Sequence, residues 1–193
     1  MGERGPILAG VDLSSISPAV ASLAVESARA LGVGVALAHV IEPLFGGEEN
    51  PPLIPPLKKM LSAARTEAES GLMALAAPCA AHTPNLKTFL LEGRTDREII
   101  ALADALFSPL IVMGGPHPHG PMAETLERVL RSAPVPVLVV RKAPEKRWEK
   151  VLVGIDPMDG EPFEMAGFLK ELLPADAKFL VAGIFEKGVL EVF

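Results

Sequence analysis

The sequence predicts an α/β fold: a five-stranded, doubly wound (Rossmann-like) parallel sheet with helices on both faces. Three observations predict it. Short apolar runs recur along the chain, amphipathic helical stretches separate them, and the turns leaving the first and fourth runs carry unusual chemistry. Continuous apolar runs, as opposed to alternating ones, belong to strands covered on both faces, which is the situation in parallel sheets. Strand–helix alternation then implies right-handed crossovers. Ligands of such sheets sit outside the carboxyl ends of the strands, where the strand order reverses.

The first strand is Ile7 to Val11, ending at Asp12. Ser14, Ser15, Ser17 and Pro18 follow and predict a polar turn, then a helix with a serine cap and proline in its first turn. Val20, Leu23, Ala24, Ser27, Ala28 and Leu31 fall on one helical stripe, and Gly32 and Gly34 stop it. Val33 to Ile41 is the second strand. The segment from Glu42 to Pro56 has five prolines and reads as a loop. A long helix follows from about Leu57 to Ala77, with Leu61, Ala64, Ala68, Leu72 and Leu75 on its apolar stripe. Leu86 to Leu91 is the third strand. Thr95 and Glu98 match a capping box before a helix carrying Ile99, Ile100, Leu102, Ala103 and Leu106. Leu110 to Met113 is the fourth strand, and Gly114 to Pro121 a glycine- and proline-rich loop. A further helix turns Met122, Leu126, Val129 and Leu130 inward, and Val135 to Val140 is the fifth strand.

Composition narrows the function. The 193 residues are 49% hydrophobic with a mean hydropathy of +0.35, which excludes intrinsic disorder. No apolar run approaches the roughly 18 residues of a membrane span, and the start, MGERGPILAGVD, reads as leaderless. A cytoplasmic protein without membrane partners is expected. The formal net charge of −6 argues against sequence-independent nucleic-acid binding. The single cysteine, Cys79, excludes an intrachain disulfide and has no thiol partner for redox work.

The domain expected over residues 1–141 is followed by a charged linker, 142–149, holding Trp148. The tail then echoes the start. KVLVGID at Lys150 to Asp156 repeats PILAGVD at Pro6 to Asp12, and AKFLVAGIF at Ala177 to Phe185 repeats VGVALAHVI at Val33 to Ile41. Residues 150–193 therefore read as a truncated βαβ repeat of the same unit.

The strings ILAGVDLSSIS, AHV, IVMGG and ERVLRSAPVPVLVV resemble the universal stress protein family over about residues 5 to 141. The resemblance implies the same five-stranded sheet, a stress-response role, dimers formed through the last strand, and in many members ATP binding. It also implies a site. Asp12 matches the acidic residue on the adenosine side, and Val40 the residue whose backbone meets the adenine edge. Gly114 matches the first glycine of the family's phosphate pattern, Ala123 and Glu124 stand where its final glycine and hydroxyl residue fall, and Met113, Gly115 and Gly120 complete the expected site. There the sequence departs from the pattern. The loop after Gly114 is about four residues short, Pro116, Pro118 and Pro121 have no N–H to offer, and Ala123-Glu124 stands where a glycine and a hydroxyl residue belong. A Glu124 carboxylate about 5 Å from a phosphate charge would cost roughly 3 kcal/mol at an effective dielectric of ~20.

Each residue also has a plainer role. Asp12 can cap the helix or hold the turn through Ser14 and Ser15, and the sequence leaves both roles open. Gly114-Gly115 suits a simple turn, and His39 a satisfied core histidine. His117 and His119 lack a carboxylate or cysteine beside them, so no metal site is expected. Neither a G-x-S-x-G elbow nor a P-loop lysine is present, so no catalytic residue is assigned. The expected function is a regulatory interaction module with weak or absent ATP binding, with Mg²⁺ only alongside ATP. It is expected to pair as a homodimer through the fifth strand and the C-terminal segment and to contact a protein partner not identified by the sequence. The alternative is an ATP-binding switch or slow ATPase that uses the same cleft and brings Gly120 onto the phosphates.

Overall fold

The computed structural model describes residues 4–43, 55–115, 122–143, 148–155 and 164–183. The chain divides into two compact units, Met1–Ala143 and Pro144–Phe193. In the first, nine elements alternate among the described residues: β1 (Ile7–Gly10), α1 (Ser17–Leu31), β2 (Val35–Ile41), α2 (Pro55–Ala80), β3 (Leu86–Glu92), α3 (Thr95–Ala105), β4 (Ile111–Gly114), α4 (Met122–Ser132) and β5 (Val137–Val140). The sheet runs β3-β2-β1-β4-β5, and every pair is parallel. The order reverses between β1 and β4, so the switch point lies at the carboxyl ends of those two strands.

The apolar runs are strands because both faces are covered. All four residues of β1 and all four of β4 are buried. Helices α1 and α2 pack together on one face, and α3 and α4 on the other. Side chains alternate across the sheet. Leu8, Ile111 and Met113 therefore meet Ile99, Leu126 and Val129 on the α3–α4 side, while Gly114 lies under Ile16, just before α1, and Val20 of α1.

Several local expectations need correcting. Helix α2 starts at Pro55, inside the stretch read as loop, because prolines in a first helical turn lose no hydrogen bond. Of its expected stripe, Ala68 and Leu72 are buried, Leu61 and Leu75 half-buried, and Ala64 exposed. Leu130 is 51% exposed, not inward. The inward stripe of α4 continues from Leu126 and Val129 to Ala133, and Leu130 lies a residue off that 3.6-residue period. Neither expected cap forms. Residue Ile16 holds the N-cap of α1 without a side-chain bond, and Arg94, not Thr95, holds that of α3.

In the second unit β6 (Lys150–Ile155), α5 (Glu164–Leu172) and β7 (Lys178–Gly183) form a two-stranded parallel sheet with one helix. Its register sets Gly154 beside Ala182, as β1–β2 sets Gly10 beside Ala38. No helix among the described residues is long and apolar enough to cross a membrane. Cys79 is buried in α2, and burial raises its thiol above the ordinary value, away from the thiolate that redox work needs.

Candidate functional site

A cleft of about 60 Å³ opens at the switch point. Gly10, Val11 and Asp12 leave β1, Ala38, His39 and Val40 come from β2, Met113 from β4, and Thr95 and Ile99 from the start of α3. Three of the residues expected from the sequence, Asp12, Val40 and Met113, thus converge. Thr95, Ile99 and His39 join them.

The Asp12 turn is rigidly determined. Its Oδ1 accepts both the Ser14 N–H at 3.0 Å and the Ser17 hydroxyl at 2.9 Å. The serines are therefore committed to Asp12 and not to capping α1, and Ser17, not Ser15, makes the second bond. Leu13 follows with φ 61°, a left-handed conformation costing on the order of 1 kcal/mol in a non-glycine residue. His39 secures the other side of the turn. Its Nδ1 lies 2.8 Å from Val11 O, and a carbonyl can only accept, so Nδ1 carries the hydrogen. His39 is the satisfied histidine expected, half-buried in a cleft wall.

The end of β1 also exposes backbone. Among the described residues, the last ladder bond between β1 and β2 runs from Val11 N–H to Ala38 O at 2.9 Å. Hydrogen-bonding directions alternate along a strand. Val40, two residues past Ala38, therefore turns its N–H and C=O to the side where β1 has ended.

The fourth-strand glycines serve the fold. An added Cβ on Gly114 would stand 2.9 Å from Ile16 Cγ2, and one on Gly115 2.9 Å from Arg141 Cγ. The Gly115 N–H is bonded to Val140 O at 2.7 Å, so it is not available to an anion. Gly120 lies outside the described residues, as do His117 and His119. Ala123 and Glu124 belong to the first turn of α4. The Glu124 carboxylate, 77% exposed, pairs with Arg128 at 2.8 Å. The repulsion expected of a bare Glu124 is thereby reduced, because Arg128 offsets its charge.

At the mouth, Glu42 Oε1 accepts the Thr95 N–H at 3.1 Å, the service the capping box was expected to provide. Beside it Arg94 grips Asp96 with two bonds, Nε to Oδ1 at 3.2 Å and Nη2 to Oδ2 at 2.8 Å. Burial pushes the carboxyls of Asp12 and Asp96 up, but other contributions outweigh it. Bonds from Ser14 and Ser17 hold Asp12 below the usual carboxylate range, and the bonds and charge of Arg94, with the charge of Arg128, do so for Asp96.

Depressed folded values add stability that is complete above the unfolded values, near pH 4, and is lost as pH falls through the folded ones. Denaturant midpoints should therefore hold level from pH 7 to about 5 and drop below about 4. The Asp12→Asn/Asp96→Asn double variant should lose much of that acid limb. An acid limb identical to the wild type would refute this assignment.

The family model for the universal stress protein family matches residues 3–141. No curated protein sequence matches the chain. Among solved structures, the universal stress protein UspA from Lactobacillus plantarum is 25% identical with a TM-score of 0.61, covering 72% of this chain and 100% of that one. The universal stress protein from Archaeoglobus fulgidus solved in complex with dAMP is 23% identical with a TM-score of 0.53, covering 73% and 100%. A universal stress protein from Archaeoglobus fulgidus DSM 4304 is 17% identical with a TM-score of 0.65, covering 97% of this chain and 68% of that one. The last two establish a shared fold.

Proposed function

We propose, because the chain belongs to the universal stress protein family, that it works as a non-catalytic regulatory module. Its strand-end cleft takes the adenosine part of a nucleotide and holds a triphosphate weakly. The observation that carries this reading is the end of the β1–β2 ladder. The Val40 N–H and C=O face the cleft beyond Val11, a donor and an acceptor spaced for the edge of a purine. Asp12 stands beside them with both serine bonds on Oδ1, so Oδ2 keeps acceptor capacity for sugar hydroxyls. Met113 and Ile99 supply apolar contact for a ring. The related Archaeoglobus fulgidus protein bound to dAMP supports the ligand class.

Weak triphosphate binding follows from the β4 turn. Gly114 is packed under α1, and Gly115 has committed its N–H to Val140. The β- and γ-phosphates thus gain no donor from Gly115.

Titration calorimetry with adenosine, AMP and ATP tests the reading. Asp12→Ala should weaken adenosine binding roughly 10- to 100-fold, the worth of one or two hydrogen bonds to a charged group. Nucleotide-induced thermal stabilisation should shrink with it, since it follows affinity. ATP should bind no tighter than AMP. Micromolar ATP binding more than tenfold tighter than AMP would replace this reading with the ATP-switch one.

A further inference from the structure

We infer that the nucleotide's first phosphate is bound by the side chain of Arg141 and not by a glycine cradle. The inference rests on reading the cleft as a nucleotide site.

The β4 turn shows what its glycines are for. A Cβ on Gly115 would meet Arg141 Cγ at 2.9 Å and Val139 Cγ1 at 3.4 Å. Glycine at 115 therefore leaves room for the arginine stem to cross the end of β4. Arg141 follows Val140, the last residue of β5, so it stands at the same carboxyl end as the cleft, and it is exposed. Three other arginines of that side are paired: Arg94, at the N-cap of α3, with Asp96, Arg128 with Glu124 and Arg131 with Glu127. Arg141 has no acidic partner among the described residues.

The sheet order supplies the spacing. Val40, Asp12, Gly115 and Arg141 lie at the ends of β2, β1, β4 and β5, which are consecutive neighbours. Strands lie about 4.8 Å apart, so the row spans about 14 Å. A base over β2 and a sugar over β1 would carry a 5′-phosphate over β4. There the guanidinium of an arginine rooted on β5 and laid across Gly115 comes within reach. Its planar fork suits a phosphate, with two parallel N–H donors for two oxygens. It also supplies the positive charge needed beside Asp12. One such contact serves one phosphate, which fits a monophosphate better than a triphosphate.

Calorimetry on the full chain compares adenosine with AMP. The wild type should bind AMP roughly 10- to 100-fold tighter than adenosine, and the difference should shrink as salt is raised. Arg141→Gln should erase the difference while leaving adenosine affinity and ligand-free melting unchanged. Arg141→Met, which keeps an apolar stem over Gly115, should do the same. If AMP keeps its advantage in both variants, or never has one in the wild type, the Arg141 assignment falls while the cleft reading stands. If neither ligand binds the wild type, the cleft reading fails and this inference with it.

Discussion

Replacing Ile99 with alanine should lower the unfolding free energy of the first unit by about 3–4 kcal/mol, around the middle of the range for such truncations. Ile99 is 1% exposed and packs where α3 meets the sheet, in one cluster with Leu8, Ala36, Ala38, Ala103 and Met113. Two of these cluster members, Ala36 and Ala38, are alanines on β2, and Gly10 of β1 lies opposite. Alanines on a parallel sheet cannot swing into a void, and the strand backbone is held by ladders on both sides. The cavity therefore stays largely open, and the penalty stays above the low end of the range. The substitution also hollows the floor of the cleft, so adenosine affinity should fall with stability. Trp148, the only tryptophan, lies in the second unit, so unfolding should be followed by circular dichroism or amide exchange of β1 and β4. Ile100→Ala, one residue along at a half-buried position, is the control and should cost about 1 kcal/mol. Equal losses at both positions would show that α3 does not pack as described.

What the sequence revealed and what it hid follow from how local each interaction is. Strands β1 and β4 were legible because burial on both faces leaves an unbroken apolar run. The place of Asp12 at the strand-end cleft was legible because an acid ending such a run, followed by serines, is a local pattern. The cap of α3 was not legible. Glu42, which accepts the Thr95 N–H, is 53 residues away in sequence, and nothing near Thr95 announces it. The role of Ser17 was hidden for a related reason: a hydroxyl near a helix start can serve the helix or a neighbouring carboxylate, and only the folded turn decides. Thr95 and Ile99 were missed as cleft residues because α3 reaches the cleft only through the strand order. That order brings β1 beside β4, and helical periodicity does not encode it. Two signals were present but incomplete. His39 stood alone in an apolar strand near its carboxyl end, and Gly115 stood beside a glycine already assigned to an anion. The Gly115 contact with Arg141 spans 26 residues of sequence and exists only because β4 and β5 pair.

Gly5→Ala should be nearly as damaging, at about 2–4 kcal/mol, although the residue precedes the first strand. A Cβ there would stand 1.7 Å from Leu106 O, 2.8 Å from Leu106 C and 2.9 Å from Phe107 O. All three are backbone atoms, so no rotamer change relieves the clash. The main chain must move, and both sides resist. On one side Gly5 donates its N–H to Phe107 O at 2.9 Å, just before β1 enters the sheet. On the other, α3 ends in a tight closure, with Phe107 N–H on Asp104 O and Ser108 N–H on Ala103 O at 3.0 and 2.9 Å. Phe107 already sits at φ 53°, a position that usually selects glycine, so this turn has little slack. Overpacking of this kind costs about 1–3 kcal/mol, and the lost Gly5 bond adds roughly 1 kcal/mol. The junction ties the entry of β1 to the entry of β4, the two strands that frame the switch point. The loss should therefore appear as lower amide protection in both strands, not as fraying of the terminus alone. A melting temperature unchanged from wild type, with faster exchange confined to residues before Ile7, would mean that the amino-terminal segment simply lifts away and that Gly5 does not anchor the sheet.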